Sequence, residues 1–154
     1  MRLWITIMYI MPTTLLIDWS PRLLKVIQFN IESQLKTQRG EKRPYGVGLL
    51  IAGYDSSGPK LYRTCPSGNY YEYHCVAIGS RCQTANTFLE NKFDLLDNAT
   101  PDELITIAIG AMKKAQDMEI NAYNTAISIV GVDTDFKVFT SEELDKYFSG
   151  MEIA

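Results

Sequence analysis

The run Val47–Tyr54 constrains the fold of this chain more than any other stretch. Successive side chains of a β-strand point to opposite faces. One face of this run carries Val47, Leu49 and Ile51, and the other carries Leu50, Ala52 and Tyr54. A strand that is apolar on both faces has to be covered on both sides, so we predict a layered structure with this strand inside it.

The glycines at the start of this stretch do not form a phosphate-binding loop. Such a loop follows a strand and opens a helix, so that helix N–H groups face the phosphates. Here Gly46 and Gly48 precede the run Leu49–Tyr54, which ends at a turn over 55–58. The order of these elements excludes a nucleotide site, and we predict a strand that packs.

Composition favours one globular domain. The chain has 154 residues, of which 46% are apolar and 21% charged, which suffices for one sizeable core. A net charge of −3 and the lack of a basic patch argue against a nucleic-acid partner.

The cysteines favour a reducing compartment. Cys65, Cys75 and Cys82 are odd in number and lack C-x-x-C spacing, and His74 is the single histidine. They complete no usual zinc set, so we predict reduced thiols, no metal site and no cofactor.

Residues 1–17 differ from the rest. Arg2 followed by Leu3–Met11 resembles the start of a signal peptide, but Pro12 interrupts the run and no small-x-small cleavage site follows. The run is also short for a membrane span. We favour a piece of core helix or an altered N-terminus over secretion.

The remaining patterns predict an α+β chain. Apolar spacing predicts a helix from Pro21 to about Thr37, and Ser-x-x-Gln, Thr-Pro-x-Glu and Ser/Thr-x-x-Glu patterns predict helix starts at Ser80, Thr100 and Thr140. The predicted strands are Val47–Tyr54, Lys60–Cys65, Tyr70–Ile78, Ala126–Val132 and Phe136–Phe139. The apolar faces of two helices are predicted as Ala85, Phe88, Leu89 and Leu96, and as Leu104, Ile107, Ala108, Ala111, Met112 and Ala115.

Four segments together resemble the eukaryotic proteasome alpha-type subunits: TQRGEKRPYGVGLLIAGYD, PSGNYYEYHCVAIGSRCQTANTFLE, TPDEL and SIVGVD. The resemblance covers about Asp18 to Phe148. It implies a partial αββα sandwich of the N-terminal-nucleophile hydrolase type, in which Gly46 and Gly48 are places of close backbone approach. It further implies an incomplete alpha-subunit domain over 18–154, preceded by a divergent segment over 1–17 and without the family's N-terminal strands.

The same resemblance implies function. Alpha-type subunits are non-catalytic parts of the outer ring of the proteasome core, which serves ubiquitin-dependent protein breakdown in cytoplasm and nucleus. The partners would be neighbouring alpha and beta subunits, and the chain would contact the regulatory particle indirectly. We expect it to bind neither nucleic acid nor a membrane. One departure is the approach to the motif: Gly40-Glu41-Lys42-Arg43-Pro44 lacks an aromatic and a basic residue of the family's usual Tyr-Gly-Arg-Arg-Pro-Tyr-Gly.

We predict no catalytic residues. A catalytic N-terminal threonine uses its own α-amine as base, and the chain begins Met1-Arg2 without a Gly-Thr processing point nearby. His74 is predicted on a strand, beside Cys75 but on the opposite face, so the two form no dyad. The carboxylates Asp94, Asp97, Asp102 and Glu103 suit helix ends. Asp133-Thr134-Asp135 suits a turn rather than a calcium loop, and the group Tyr62, Tyr70, Tyr71 and Tyr73 suits packing more than an interaction surface.

Two alternatives stay open from the sequence. One is an independent hydrolase of the same fold, which requires a nucleophile exposed by processing. The other is a non-functional truncated gene product.

Overall fold

The computed structural model describes residues 4–9, 23–40, 42–55, 58–96, 98–116, 119–131 and 134–150. These residues form six strands and five helices. In chain order they are β1 Trp4–Tyr9, α1 Leu23–Gln38, β2 Leu49–Asp55, β3 Gly58–Thr64, β4 Tyr70–Glu72, α2 Cys82–Glu90, α3 Phe93–Leu96, α4 Pro101–Ala115, β5 Thr125–Gly131, β6 Thr134–Val138 and α5 Ser141–Gly150. The predicted α+β class is confirmed.

The strands form two antiparallel sheets of three strands each, in the orders β1-β5-β6 and β2-β3-β4. In the second sheet, Leu49 pairs with Thr64 and Asp55 with Gly58. In the first, the pairing of β5 with β6 is irregular between Ile129 and Gly131. The sheets approach each other where β2 meets β5 and where β1 meets β2 and β3.

The double-sided burial predicted for the apolar strand is confirmed. Leu49 and Ile51 of β2 pack with Val26 of α1 in one core cluster. Leu50, on the opposite face, is also buried, as is Leu61, which shares that face. The strand begins at Leu49 rather than Val47, but Val47 still packs against the α1 cluster.

A second core joins the helices to the other sheet. Ile105 and Ile109 of α4, Ile127 of β5 and Leu144 of α5 are all less than 2% exposed and form one cluster. The predicted apolar face of α4 included neither isoleucine. This helix buries two sides, because Ala111 and Ala115 pack toward Ala85 of α2 in a separate cluster.

Two of the three predicted capping boxes are present. Thr100 accepts from the Glu103 N–H and donates its own N–H to the Glu103 carboxylate at 2.7 Å, with Pro101 in the first turn. Thr140 and Glu143 make the same reciprocal pair before α5. Each pair satisfies N–H groups that the first helical turn leaves without partners.

The third predicted box is wrong. The residue before α2 is Arg81, in the left-handed region at φ 56°, and no side chain caps the helix. The Cys82 N–H instead donates to the Gly79 carbonyl at 3.4 Å. A backbone turn therefore starts this helix where a Ser80 hydroxyl was expected. The helix also ends at Glu90, so Leu96 lies in the separate short helix α3.

The predicted strand Tyr70–Ile78 is wrong beyond Glu72. The Tyr73 N–H still donates to the Leu61 carbonyl at 2.9 Å, but the chain then leaves the sheet. Both backbone polar groups of Ala77 bond to the Asn86 side chain, at 2.7 and 3.3 Å. An amide side chain thus takes the bonds that a neighbouring strand would otherwise make.

The segment over 1–17 contains the strand β1, so the prediction of a piece of core helix is wrong for Trp4–Tyr9. Trp4 pairs with Val130 and Tyr9 with Thr125. The segment is rich in β-branched and aromatic residues, which favour strands. Asp97 and Asp133 lie outside the described residues, as do Pro21 and the beginning of its predicted helix.

Candidate functional site

The segment of the predicted family motif is anchored on α1 by Tyr45. Its ring stacks on Phe29, with ring centroids 5.4 Å apart and planes 15° apart. On α1, the Lys36 ammonium lies 3.7 Å from the centroid of the same ring. Stacking and a cation–π contact together hold the segment against the helix. We call Phe29, Lys36 and Tyr45 the Tyr45 clamp.

The clamp leaves the polar part of the motif in solvent. Arg43 and Pro44 are exposed, as are Arg39 and Lys42. The chain turns after α1 through two backbone bonds of 3.2 Å, from Arg39 N–H to the Leu35 carbonyl and from Lys42 N–H to the Arg39 carbonyl. The exposed side chains of Arg39, Lys42 and Arg43 therefore follow directly after the end of α1.

The two motif glycines differ. A Cβ on Gly48 would lie 3.1 Å from the Thr64 carbonyl oxygen, so the predicted close approach is confirmed there. A Cβ on Gly46 would meet no described atom within 4 Å, so the same prediction for Gly46 is wrong. Gly46 is exposed on the turn, whereas Gly48 lies at the entry to β2 beside a paired strand.

The tightest glycine was not found from the sequence. Gly68, in the turn between β3 and β4, has φ +87°, and a Cβ there would lie 2.7 Å from Gln34 Cβ and 2.9 Å from the Asn30 carbonyl oxygen. The turn therefore presses directly on the backbone of α1. In the sequence, residues 66–69 lie between two predicted strands, but nothing in the sequence indicates which part of the fold they contact.

His74 and Cys75 lie at a bend after β4, not on a strand as predicted. The His74 ring meets Phe93 edge to face, with centroids 5.6 Å apart. Burial, with a smaller contribution from Glu90, raises the pKa of the Cys75 thiol. A raised pKa lowers the thiolate fraction and so the reactivity of this cysteine. Cys65, Cys75 and Cys82 are all free and half-buried.

The carboxylates near the starts of α4 and α5 accept hydrogen bonds from neighbouring side chains and backbone N–H groups. Asp102 accepts a 2.5 Å hydrogen bond from the Tyr147 hydroxyl, which raises the pKa of Tyr147 to about 12. Hydrogen bonds from the Thr100 N–H and hydroxyl lower the pKa of Glu103. The Lys137 ammonium, 2.6 Å away, and then the Thr140 N–H lower the pKa of Glu143.

Two further predicted residues, Asp94 and Asp135, have simple placements. Asp94 lies in the first turn of α3. Asp135 is exposed on β6, which begins at Thr134, so both residues lie on the strand and not in the predicted turn. In the described part of the chain, no group of three or more His, Cys, Asp or Glu side chains could hold a metal, and no helix is long and apolar enough to cross a membrane.

The tyrosines divide between core and surface. Tyr62 is 3% exposed and contacts Tyr70 edge to face at 6.4 Å. Tyr71 contacts Tyr73 at 6.5 Å and is 54% exposed. Packing accounts for Tyr62, while Tyr71 leaves more than half of its surface in solvent.

Comparison with known proteins identifies the family. The profile of the family described as "Proteasome subunit" matches residues 22–130, which include the Tyr45 clamp, the sheet β2-β3-β4 and nearly all of β5. The chain belongs to the proteasome subunit family.

Several curated relatives are alpha-type subunits. The chain is 43% identical over 122 residues to "Proteasome subunit alpha type-1" of Dictyostelium discoideum, which covers 77% of this chain and 49% of the relative. It is 45% identical over 121 residues to the alpha type-1 subunit of Trypanosoma brucei rhodesiense, with 77% and 46% covered. It is 40% identical over 116 residues to the alpha type-2-A subunit of Arabidopsis thaliana, with 75% and 48% covered.

These matches confirm the resemblance to alpha-type subunits and favour alpha type-1 as the kind of subunit. The chain spans about half the length of the curated relatives it matches.

Proposed function

We propose that this chain is a non-catalytic structural subunit in the outer ring of the proteasome core and so supports ubiquitin-dependent protein breakdown. Its partners would be neighbouring alpha and beta subunits, with the regulatory particle contacted indirectly, in the cytoplasm and nucleus. The observation that carries the proposal is the Tyr45 clamp, which orders the Arg43-Pro44-Tyr45-Gly46 turn in a chain 40% to 45% identical to alpha-type subunits.

We infer in addition that the two sheets stack face to face between helices. The contacts of β2 with β5 and of β1 with β2 and β3 support this stacking. The α1 cluster on the outer face of the second sheet, and the α4 and α5 cluster at β5, support helices on both outsides. In this arrangement the rigid layers hold the motif turn in a fixed position for assembly.

A structural role agrees with the chemistry of the described side chains. The Cys75 thiol has a raised pKa, and His74 is packed against Phe93. The carboxylates of Asp102, Glu103 and Glu143 are engaged by Tyr147, Thr100 and Lys137 respectively. Each of these groups is accounted for by packing, capping or an ion pair.

One experiment tests both parts of the proposal. The chain is expressed with an affinity tag in cells that make proteasomes, purified, and treated with a peptide epoxyketone that labels N-terminal threonine nucleophiles. We expect identified alpha and beta subunits to co-purify, and label to appear on partner subunits but not on the tagged chain. Label on the tagged chain would contradict a non-catalytic role, and purification of the chain without other proteasome subunits would contradict the assembly role.

A further inference from the structure

The turn before β5 carries a tyrosine, Tyr123, whose side chain is almost fully exposed to solvent. Tyr123 is 82% exposed, the highest exposure among the large hydrophobic side chains described. Two residues that precede it in the chain are buried: Ile120 is 5% exposed and Ala122 is 2% exposed. Ala122 belongs to the core cluster of α4, β5 and α5. The turn is therefore fixed to the core at its base while Tyr123 extends from it.

Two asparagines hold this turn by reciprocal hydrogen bonds. The Asn121 side-chain oxygen accepts from the N–H groups of Tyr123 and Asn124, both at 3.0 Å. The Asn124 side-chain oxygen accepts from the Asn121 N–H at 2.8 Å, and its amide nitrogen donates to the Glu119 carbonyl at 3.0 Å. Asparagine side chains commonly stabilise turns in this way. The backbone that carries Tyr123 is thus fixed before any partner binds.

A rigid, protruding tyrosine has the properties of an interface anchor. Tyrosine is enriched among the residues that dominate binding energy, and it loses little conformational entropy because it has few rotatable bonds. A preformed backbone lowers the cost of ordering on binding still further. The phenol also offers a hydroxyl at the end of an apolar ring, so it suits a pocket with apolar walls and a polar group at its base.

We propose that Tyr123 is an anchor residue that inserts into an apolar pocket, with a hydrogen-bond partner at its base, on a neighbouring proteasome subunit. The inference rests on the proposed function, because membership of the proteasome subunit family supplies the class of partner. It goes beyond that function in assigning the contact to one side chain and in stating the chemistry of the surface that receives it.

The test compares four tagged chains in cells that make proteasomes: the parent, Tyr123→Ala, Tyr123→Phe and Tyr71→Ala. Tyr71 is the matched control, because it is also an exposed tyrosine, at 54%, but lies on β4. Identified alpha and beta subunits that co-purify are quantified against tagged chain over a range of expression levels, and the melting temperature of each purified chain is recorded.

We expect Tyr123→Ala to raise the chain concentration needed for half-maximal incorporation at least about tenfold, the effect of losing one strong anchor. Tyr123→Phe should lose less, and Tyr71→Ala should behave as the parent does. The melting temperature of Tyr123→Ala should equal that of the parent, because the ring lies mostly in solvent.

Each other outcome overturns the inference, and the outcomes separate it from the proposed function. If the parent incorporates and Tyr123→Ala incorporates equally well, the anchor is wrong while the proposed function stands. If both alanine variants lose incorporation equally, the effect is not specific to this turn and the anchor is again wrong. If the parent itself fails to co-purify with proteasome subunits, both the anchor and the proposed function are wrong.

Discussion

Replacing Gly68 by alanine should destabilise the chain through two separable effects. The first is conformational, because φ at this position is +87° and L side chains avoid that region. The second is steric, because the new Cβ would lie 2.7 Å from Gln34 Cβ and 2.9 Å from two backbone atoms of α1, the Asn30 oxygen and the Gln34 nitrogen. Backbone atoms within a helix cannot move aside singly, so the turn and α1 would have to separate.

The size of the effect follows from these distances. Ordinary contact begins at 3.4 Å, so the added Cβ would be about 0.7 Å too close to the Gln34 Cβ. Overpacking of this kind costs about 1–3 kcal/mol, and the left-handed conformation costs about 1–2 kcal/mol for a non-glycine residue. We therefore expect Gly68→Ala to lower the free energy of unfolding by about 2–5 kcal/mol.

Gly79→Ala supplies the control. Gly79 has φ +112°, but a Cβ there meets no described atom within 4 Å, so only the conformational cost of about 1–2 kcal/mol should remain. Chemical denaturation of the parent and both variants measures the two costs. Equal losses in the two variants would refute the claim that Gly68 is needed for its contact with α1.

Three further predictions concern the clamp and the helix ends. Tyr45→Ala should lower the free energy of unfolding by about 2 kcal/mol, as the sum of stacking on Phe29 and the contact with Lys36, measured by denaturation; no change would mean that the clamp does not hold the motif. Tyr147→Phe, which removes the hydroxyl bonded to Asp102, should lower the free energy of unfolding by about 1 kcal/mol, because solvent weakens a hydrogen bond to an exposed carboxylate. In the parent this stabilisation should be complete below pH 10 and decline as the pH rises toward about 12. A variant whose stability falls with alkaline pH as the parent's does would contradict this prediction. Folding lowers the pKa of Glu103, so the stabilisation from its ionised carboxylate is present above pH 4.5 and is lost as the pH falls through the pKa of the folded state. Glu103→Gln should therefore make the melting temperature fall less steeply with acid pH. An unchanged slope would show that the Glu103 carboxylate does not stabilise the fold through its ionisation.

Local chemistry explains which parts of the fold could be predicted. Strand β2, buried on both faces, follows from apolar residues at successive positions along the run. The capping boxes at Thr100 and Thr140 follow from partners only three residues away in the sequence. All three features are present. The hairpin of β5 and β6 follows from two apolar runs around a short turn, with its ends shifted by one or two residues.

The errors arise where a distant side chain decides the local structure. Residues after Glu72 have the composition of a strand, but the Asn86 amide takes the backbone bonds of Ala77. Ile105 and Ile109 fell outside the predicted apolar face because α4 packs against two neighbours, and one helical stripe describes only one of them. At Ser80 the competing partner is nearer, since the Gly79 carbonyl replaces the expected hydroxyl bond.

Only part of the candidate site could be predicted from the sequence, because its contacts also depend on residues distant in the chain. The Arg43-Pro44-Tyr45-Gly46 motif can be recognised in the sequence, but Phe29 and Lys36, which hold its tyrosine, belong to the preceding helix. The contact of Gly68 with α1 likewise joins residues that are far apart in the chain. The exposed Tyr123 has one local signal, the asparagines on either side of the turn at 121 and 124.

Single-particle electron microscopy of particles purified through the tagged chain shows directly whether the chain is an outer-ring subunit. We expect intact proteasome cores in which the chain occupies the outer ring, with density for Tyr45 in contact with Phe29 and Lys36 as in the structure. Particles with the chain in the ring that carries the threonine nucleophiles, or a purified chain without any core particle, would contradict it.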